Sequence, residues 1–175
     1  MEENKIFIIF NGISIYFYWW LCFWGASTGN YFIGPIFTII YFIIHFIIIR
    51  NKSKEIGYMS ICILTGLVFE SILYYNGFLY YRGLITQQFS VVAPWVILLW
   101  AGYALTVFHS FRWIIGKYHI ALLGGGILGP FIYISGSKIG AISLTYDFWI
   151  SYFILMPLLG LCALFLNYMS VKINE

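Results

Sequence analysis

The chain has 175 residues, of which 62% are apolar and only 9% charged, and its formal net charge is +3. Soluble domains carry about 25% charged residues, so this composition excludes a water-soluble enzyme or binding domain and makes lipid the outer solvent. The nine lysines and arginines are scattered along the chain. They form no basic patch, and we expect no nucleic-acid partner.

Apolar stretches long enough to cross a bilayer recur along the whole chain. A spanning helix needs about 20 apolar residues, since each residue rises about 1.5 Å along the axis. Six stretches meet this length, near 6–26, 31–50, 57–80, 90–113, 118–137 and 146–171. The sequence therefore predicts an all-α, polytopic integral membrane protein, with residues 1–175 forming a single membrane domain of six transmembrane helices.

The positions of the basic residues predict the orientation, because lysine and arginine favour the cytoplasmic side. With six spans and both termini in the cytoplasm, only two basic residues, Arg82 and Lys138, lie on the opposite side of the membrane. The basic residues on the cytoplasmic side are Lys5, Arg50, Lys52, Lys54, Arg112, Lys117 and Lys172. This asymmetry predicts that both termini lie in the cytoplasm, and the apolar helices predict membrane lipids as the surrounding partners.

Small and polar residues recur at helical spacing within the stretches. Helices in lipid associate through such faces, because small residues allow close approach and polar groups bond across the interface. The second stretch carries Gly34, Thr38, Tyr41 and His45, and the third carries Gly66, Glu70, Tyr74 and Gly77. We expect these faces to point inward in a compact bundle.

The fifth stretch is interrupted by glycine and proline. Its small face comprises Gly126, Gly129, Gly136 and Gly140, with Pro130 beside Gly129. One interpretation is helix packing. The other is a broken helix whose freed backbone groups line a substrate site, since proline removes an amide hydrogen bond and bends the helix. Packing is favoured, and both interpretations stay open.

Glu70 is the only acid deep within a predicted span. It lies 13 residues, or about 20 Å, beyond the start of the third stretch. A charged acid at that depth costs on the order of 3 kcal/mol, so it must be neutral, paired or in a polar cavity. Glu70 is either a substrate or proton site or a structural acid bonded to a neighbouring hydroxyl such as Tyr74 or Ser71.

A second polar group is predicted near the cytoplasmic face. His45 and His109 fall within one or two turns of Arg50 and Arg112, and Asn11 enters at the same level. Two histidines alone rarely bind a metal, and none of the three cysteines has suitable spacing. We therefore expect hydrogen bonding, no metal and no cofactor.

These residues near the cytoplasmic face are also candidates for a shared binding pocket. Asn11, His45, His109 and Arg112 are candidates for a polar pocket that binds substrate, although contact with lipid headgroups is favoured for Arg112. Known catalytic motifs do not occur in the sequence, and no catalytic residue is assigned.

A series of motifs in order along the chain resembles a known family. The series begins with the segment 19–26 (WWLCFWGA), Gly29 and Gly34. It continues with Ala93-Pro94-Trp95, Leu99-Trp100, His109-Ser110, Trp113, Gly129-Pro130, Tyr133, Gly136, Gly140 and Ala141. The order resembles a family of bacterial membrane proteins known as a domain of unknown function, DUF2878. The resemblance implies an inner-membrane protein of Gram-negative bacteria associated with lipid or fatty-acid modification, and it carries no catalytic residues.

Three functions are compatible with these features. The first is a small transporter or lipid-handling protein with Glu70 in an intramembrane polar cavity. The second is an intramembrane enzyme or accessory subunit in lipid or fatty-acid modification, using the inner residues. The third is a structural scaffold that binds a membrane-protein partner, or a second copy of itself, through its glycine face.

Overall fold

The computed structural model describes residues 5–84 and 92–175, which form six α-helices, one turn of 3-10 helix and a pair of short strands. The helices are α1 (Lys5–Thr28), α2 (Ile33–Ile48), α3 (Lys52–Tyr75), α4 (Pro94–Val107), α5 (Tyr118–Ile139) and α6 (Phe148–Asn174). The 3-10 turn is Arg112–Ile114, and the strands are β1 (Leu79–Tyr81) and β2 (Ile142–Leu144). The predicted all-helical fold is confirmed, whereas the strands were not predicted.

Four of these helices, α1, α3, α5 and α6, are long and apolar enough to cross a membrane. Helices α2 and α4 are also apolar, but they have only 16 and 14 residues. Six full spans were predicted because hydropathy also counts apolar residues that lie outside a helix. The predicted residues 90 and 91 of the fourth stretch lie outside the described residues.

The outer face of the bundle is apolar. Large side chains such as Ile6, Phe32 and Ile47 are 74%, 77% and 73% exposed. A water-soluble protein rarely exposes such a continuous apolar surface. The four long helices are compatible with a membrane-embedded protein.

The helices pack as neighbouring pairs. Helix α5 lies along α6, α3 along α4, and α1 along α2. Helix α1 also contacts α4, and α3 contacts α6, which joins the pairs into one bundle. The face of α2 that was predicted to point inward is its buried face, comprising Gly34, Thr38, Tyr41 and His45.

Helix α3 lies closer to the N-terminus than its predicted range of 57–80. It begins at Lys52, where the Asn51 side chain accepts a hydrogen bond from the Lys54 amide at 3.4 Å. Such a cap satisfies a free backbone amide of the first turn, so the helix can begin among the polar residues 52–55. It ends at Tyr75, before Gly77 takes a positive φ of 66°.

The strands close one end of the bundle. Strands β1 and β2 are antiparallel, with Leu79 opposite Leu144 and Tyr81 opposite Ile142. They follow the C-terminal ends of α3 and α5, so both helices finish at this end. The ladder directs Tyr81 back toward α3, where it contacts Glu70.

Helix α5 is continuous through Gly129 and Pro130. An added Cβ at Gly126 would lie 3.0 Å from the Met156 carbonyl oxygen of α6, and one at Gly136 would lie 2.1 Å from Phe23 Cε1 of α1. These close approaches fit the packing interpretation. A continuous helix also offers fewer freed backbone groups to a substrate.

Gly140 was grouped with the packing glycines, but it has a different position. It is the C-cap of α5, with φ of 86°, and an added Cβ there would meet nothing within 4 Å. Glycine takes this left-handed conformation without steric penalty. Gly140 therefore ends the helix and does not pack against a neighbour.

The neighbouring glycines Gly124 and Gly125 provide a matched test of this packing. An added Cβ at Gly125 would lie 2.4 Å from Ala163 Cβ and 2.8 Å from the Leu159 carbonyl oxygen, whereas one at Gly124 would meet nothing within 4 Å. We expect Gly125→Ala to lower the free energy of unfolding by about 2 kcal/mol through overpacking. Gly124→Ala should raise it by about 0.5 kcal/mol, since alanine favours helix. Thermal unfolding in detergent compares the two, and equal stability of both variants would contradict the packing.

Candidate functional site

A buried polar layer lies at the end of the bundle opposite the strands. Its centre is Glu55, whose two carboxylate oxygens each contact one histidine. His45 Nε2 lies 2.6 Å from Oε2, and His109 Nε2 lies 2.9 Å from Oε1. His45, Glu55 and His109 are 0%, 6% and 8% exposed. We call the group the polar layer; its members are Asn11, Tyr41, His45, Glu55, His109 and Ser110.

Glu55 lies in the first turn of α3 and belongs to the buried face of that helix. The members of that face recur every three or four residues and are Glu55, Tyr58, Cys62, Gly66, Glu70 and Leu73. This spacing is one side of a helix. The Asn51 cap fixes the start of the helix, and the helical period then directs Glu55 inward.

His109 is positioned by the turn that ends α4. The Thr106 carbonyl accepts hydrogen bonds from the backbone amides of His109 at 3.2 Å and Phe111 at 2.9 Å. The fourth stretch was predicted to stay helical to residue 113, but the helix stops at Val107. A tertiary contact explains the difference, because the next residue, Ser110, bonds to Asn11 of α1 instead of continuing the helical ladder.

Asn11 joins three elements through its side-chain amide. Its Nδ2 donates to the Tyr41 hydroxyl at 2.7 Å and to the Leu105 carbonyl at 2.9 Å. Its Oδ1 accepts from the Ser110 hydroxyl at 2.6 Å. Asn11 is 0% exposed, so these bonds replace water for a buried amide.

The histidine rings are held from their other sides as well. The Tyr41 hydroxyl lies 3.4 Å from His45 Nδ1, which links His45 to Asn11. The Phe7 ring packs against both imidazoles, with ring centroids 5.6 Å from His45 and 5.0 Å from His109. Both imidazoles therefore have fixed neighbours around the carboxylate.

The structure thus brings Asn11, His45 and His109 into one network. Arg112 begins the 3-10 turn after His109, and its side chain is exposed instead of buried within the layer. Glu70 is not part of the layer. It lies 15 residues further along α3, which separates the two acids by about 22 Å.

Glu70 accepts three hydrogen bonds from aromatic donors. Trp100 Nε1 and the Tyr133 hydroxyl donate to Oε1 at 2.8 and 2.7 Å, and the Tyr81 hydroxyl donates to Oε2. The neighbouring hydroxyls considered from sequence, Tyr74 and Ser71, are not these donors. Glu70 is 1% exposed, and the three donors come from β1, α4 and α5.

Tyr81 and Tyr74 lie side by side at this site. Burial, followed by the negative charge of Glu70, raises the pKa of the Tyr81 phenol well above its usual range. The hydroxyl therefore keeps its proton and acts as a donor. The Tyr74 ring stacks on the Tyr81 ring, with centroids 6.4 Å apart and an interplanar angle of 9°.

Glu55, the centre of the layer, was not predicted as a site residue from the sequence. The hydropathy of the segment placed residues 51–56 in a loop, because Lys52, Lys54 and Glu55 are charged. Two signals were present. Asn51 is a favoured N-cap residue, and extending the helical period backward from Gly66 through Cys62 and Tyr58 arrives at Glu55.

The family described as Protein of unknown function (DUF2878) matches residues 8–163. No curated protein and no solved structure matches the chain. The matched range includes Asn11, His45, Glu55, Glu70 and His109. The chain therefore belongs to the DUF2878 family.

Proposed function

We propose that the chain is a multi-pass protein of the bacterial inner membrane, with both termini in the cytoplasm, that takes part in lipid or fatty-acid modification. In this proposal it is an intramembrane enzyme, or an accessory subunit of one, and the polar layer is its working site. As an accessory subunit it would contact a membrane-protein partner or a second copy of itself.

The observation that carries the proposal is the convergence of His45 and His109 on Glu55. The three residues come from α2, α3 and the turn after α4, so the tertiary fold assembles them. Imidazoles beside a carboxylate can accept, hold and release a proton, which is the common requirement of acid–base catalysis. One histidine beside the carboxylate would be enough to join two helices, whereas Glu55 contacts two histidines.

The level of the layer supports lipid as the substrate. Glu55 lies within one turn of Lys52 and Lys54, and Arg112 follows His109 by three residues. Basic residues at helix ends favour the anionic headgroup zone. The ester and phosphate groups of lipids lie in that same zone.

The transporter hypothesis receives less support from the geometry. It requires Glu70 to face a polar cavity, but both oxygens of Glu70 are occupied by three aromatic donors. A shallow groove on the outer side of α3 does not include Glu70; it is lined by Leu67, Val68, Ser71, Ile72, Tyr75 and Asn76. The environment of Glu70 is that of an acid that joins helices.

Lipid analysis of whole cells tests the proposal. The gene is deleted in the organism that carries it, and lipids are compared by mass spectrometry after complementation with the wild type, Glu55→Gln or His119→Ala. We expect deletion to change at least one lipid or fatty-acid species. The wild type and His119→Ala should restore it, because His119 is exposed on α5 and is not a member of the layer.

Glu55→Gln should fail to restore the lipid, since an amide cannot accept a proton as the carboxylate does. Membrane abundance of all variants is matched by immunoblot. An unchanged lipid profile on deletion would contradict the proposed function, and so would full complementation by Glu55→Gln.

A further inference from the structure

We propose that His45, Glu55 and His109 form a binding site for a divalent transition-metal ion of the zinc or iron(II) class. The sequence led us to expect no metal, because two histidines alone give too few ligands. Glu55 supplies the third ligand. Within residues 5–84 and 92–175, this is the group of histidine and acidic side chains whose ligand atoms converge, all within 4.8 Å of one another.

The ligand atoms of the three side chains converge on one point of the layer. His45 Nε2 and His109 Nε2 lie 2.6 and 2.9 Å from the Glu55 oxygens. Zinc binds imidazole nitrogen and carboxylate oxygen at about 2.0–2.2 Å, so two ligands of a tetrahedral ion are about 3.4 Å apart. The three ligand atoms lie within 4.8 Å of one another, so the side chains would have to move by up to about 1 Å to bind one ion.

The surroundings of His45 are those of a metal-binding histidine. Such a ligand directs one ring nitrogen to the ion and bonds the other to a fixed protein group, which sets the tautomer. His45 directs Nε2 to the centre, while the Tyr41 hydroxyl lies 3.4 Å from Nδ1. Asn11 in turn donates to Tyr41 at 2.7 Å. The ligand is thus supported by two buried side chains.

The donor set identifies the class of ion. Two imidazoles and one carboxylate form the ligand set of catalytic zinc sites and of non-haem iron(II) sites, both of which leave coordination positions open. Calcium and magnesium prefer oxygen donors throughout. Burial also favours a cation here, because the layer holds a carboxylate away from water and a divalent ion compensates its charge.

The proposal rests on ligand geometry and is independent of the proposed lipid chemistry. A bound ion would occupy the nitrogen and oxygen lone pairs that proton transfer by these side chains would use, and would supply a Lewis acid in their place. A structural ion with no role in lipid modification would occupy the same three ligands. Metal binding and lipid phenotype can therefore succeed or fail separately.

Metal titration of the purified full-length protein in detergent tests the site. The protein is stripped with a chelator and titrated with Zn²⁺ in a calorimeter and with Co²⁺ by visible absorption. We expect one Zn²⁺ per chain and Co²⁺ d–d bands typical of four or five ligands. Glu55→Gln and His45→Ala should each weaken binding about 100-fold, as expected from loss of a ligand.

His119→Ala is the matched control, since His119 is exposed and lies outside the cluster; it should bind as the wild type does. A folded apo-protein is verified for each variant by near-UV circular dichroism. If a variant does not fold, the Co²⁺ spectrum of the wild type still decides, because imidazole and carboxylate ligands give bands that aqueous Co²⁺ lacks. Absence of stoichiometric binding to the folded wild type, or wild-type affinity in folded Glu55→Gln, would overturn the proposal.

Discussion

Replacing Glu70 by leucine is expected to lower the free energy of unfolding by about 4 kcal/mol. The change leaves Trp100 Nε1 and the hydroxyls of Tyr81 and Tyr133 without their acceptor. A buried donor without a partner costs about 1–3 kcal/mol. Part of the lost stability is recovered in the leucine variant, because it avoids the cost of burying a charged carboxylate. Thermal unfolding in detergent measures the difference.

Glu70→Gln provides the control for this prediction. Its remaining oxygen can still accept from Trp100 and Tyr133, and its amide can donate to the Tyr81 oxygen. We expect a loss of about 1 kcal/mol. If leucine at position 70 were as stable as glutamine, the three hydrogen bonds would not hold the helices together. If glutamine were as damaging as leucine, the charge of Glu70 itself would be required.

Replacing Asn11 by alanine is expected to lower the free energy of unfolding by about 3 kcal/mol. The Ser110 hydroxyl and the Leu105 carbonyl lose their partner, and the Tyr41 hydroxyl loses a donor. Each orphaned buried group costs about 1–3 kcal/mol. The same variant should weaken Zn²⁺ binding about tenfold, because Asn11 supports Tyr41 beside His45.

Asn30→Ala is the matched control. Asn30 is exposed, and its side chain donates only to Thr28 Oγ1 among the hydrogen bonds of the described residues. Its replacement should change stability by no more than about 0.5 kcal/mol. Equal effects at positions 11 and 30 would show that the Asn11 network contributes nothing beyond an ordinary surface amide.

Some of the fold follows from periodicity alone. The inward face of α2, from Gly34 to His45, needs only the helical repeat, because its small or polar residues recur at spacings of three and four. The deep position of Glu70 follows from its distance along one helix. The partners of Glu70 cannot be predicted in this way. Tyr81 reaches Glu70 because β1 pairs with β2, which lies more than 60 residues further along the chain.

The centre of the candidate site depends on features that hydropathy does not register. Glu55 follows two lysines and was assigned to a loop, although the Asn51 cap places it inside α3. His109 was placed within a helix, but Asn11 of α1 holds the next residue in a turn. Both errors arise because a local window does not include contacts between distant segments.

The central claim is that a membrane-embedded protein holds its polar layer at the level of the lipid headgroups. A measurement of the depth of that layer in the bilayer tests this claim most directly. Spin labels are attached in lipid bilayers at three exposed positions of α3, Ile56, Leu64 and Val68. The native cysteines are first replaced by alanine; they are Cys22, Cys62 and Cys162. Accessibility to oxygen and to a water-soluble nickel complex then gives the depth of each label.

Positions 64 and 68 lie about 12 and 18 Å along the helix from position 56. The label at position 56, next to Glu55, is predicted to lie at headgroup depth and to be reached by the nickel complex. The labels at positions 64 and 68 are predicted to lie in the hydrocarbon and to be reached mainly by oxygen. Equal depth at all three positions, or access of the nickel complex to positions 64 and 68, would contradict the account.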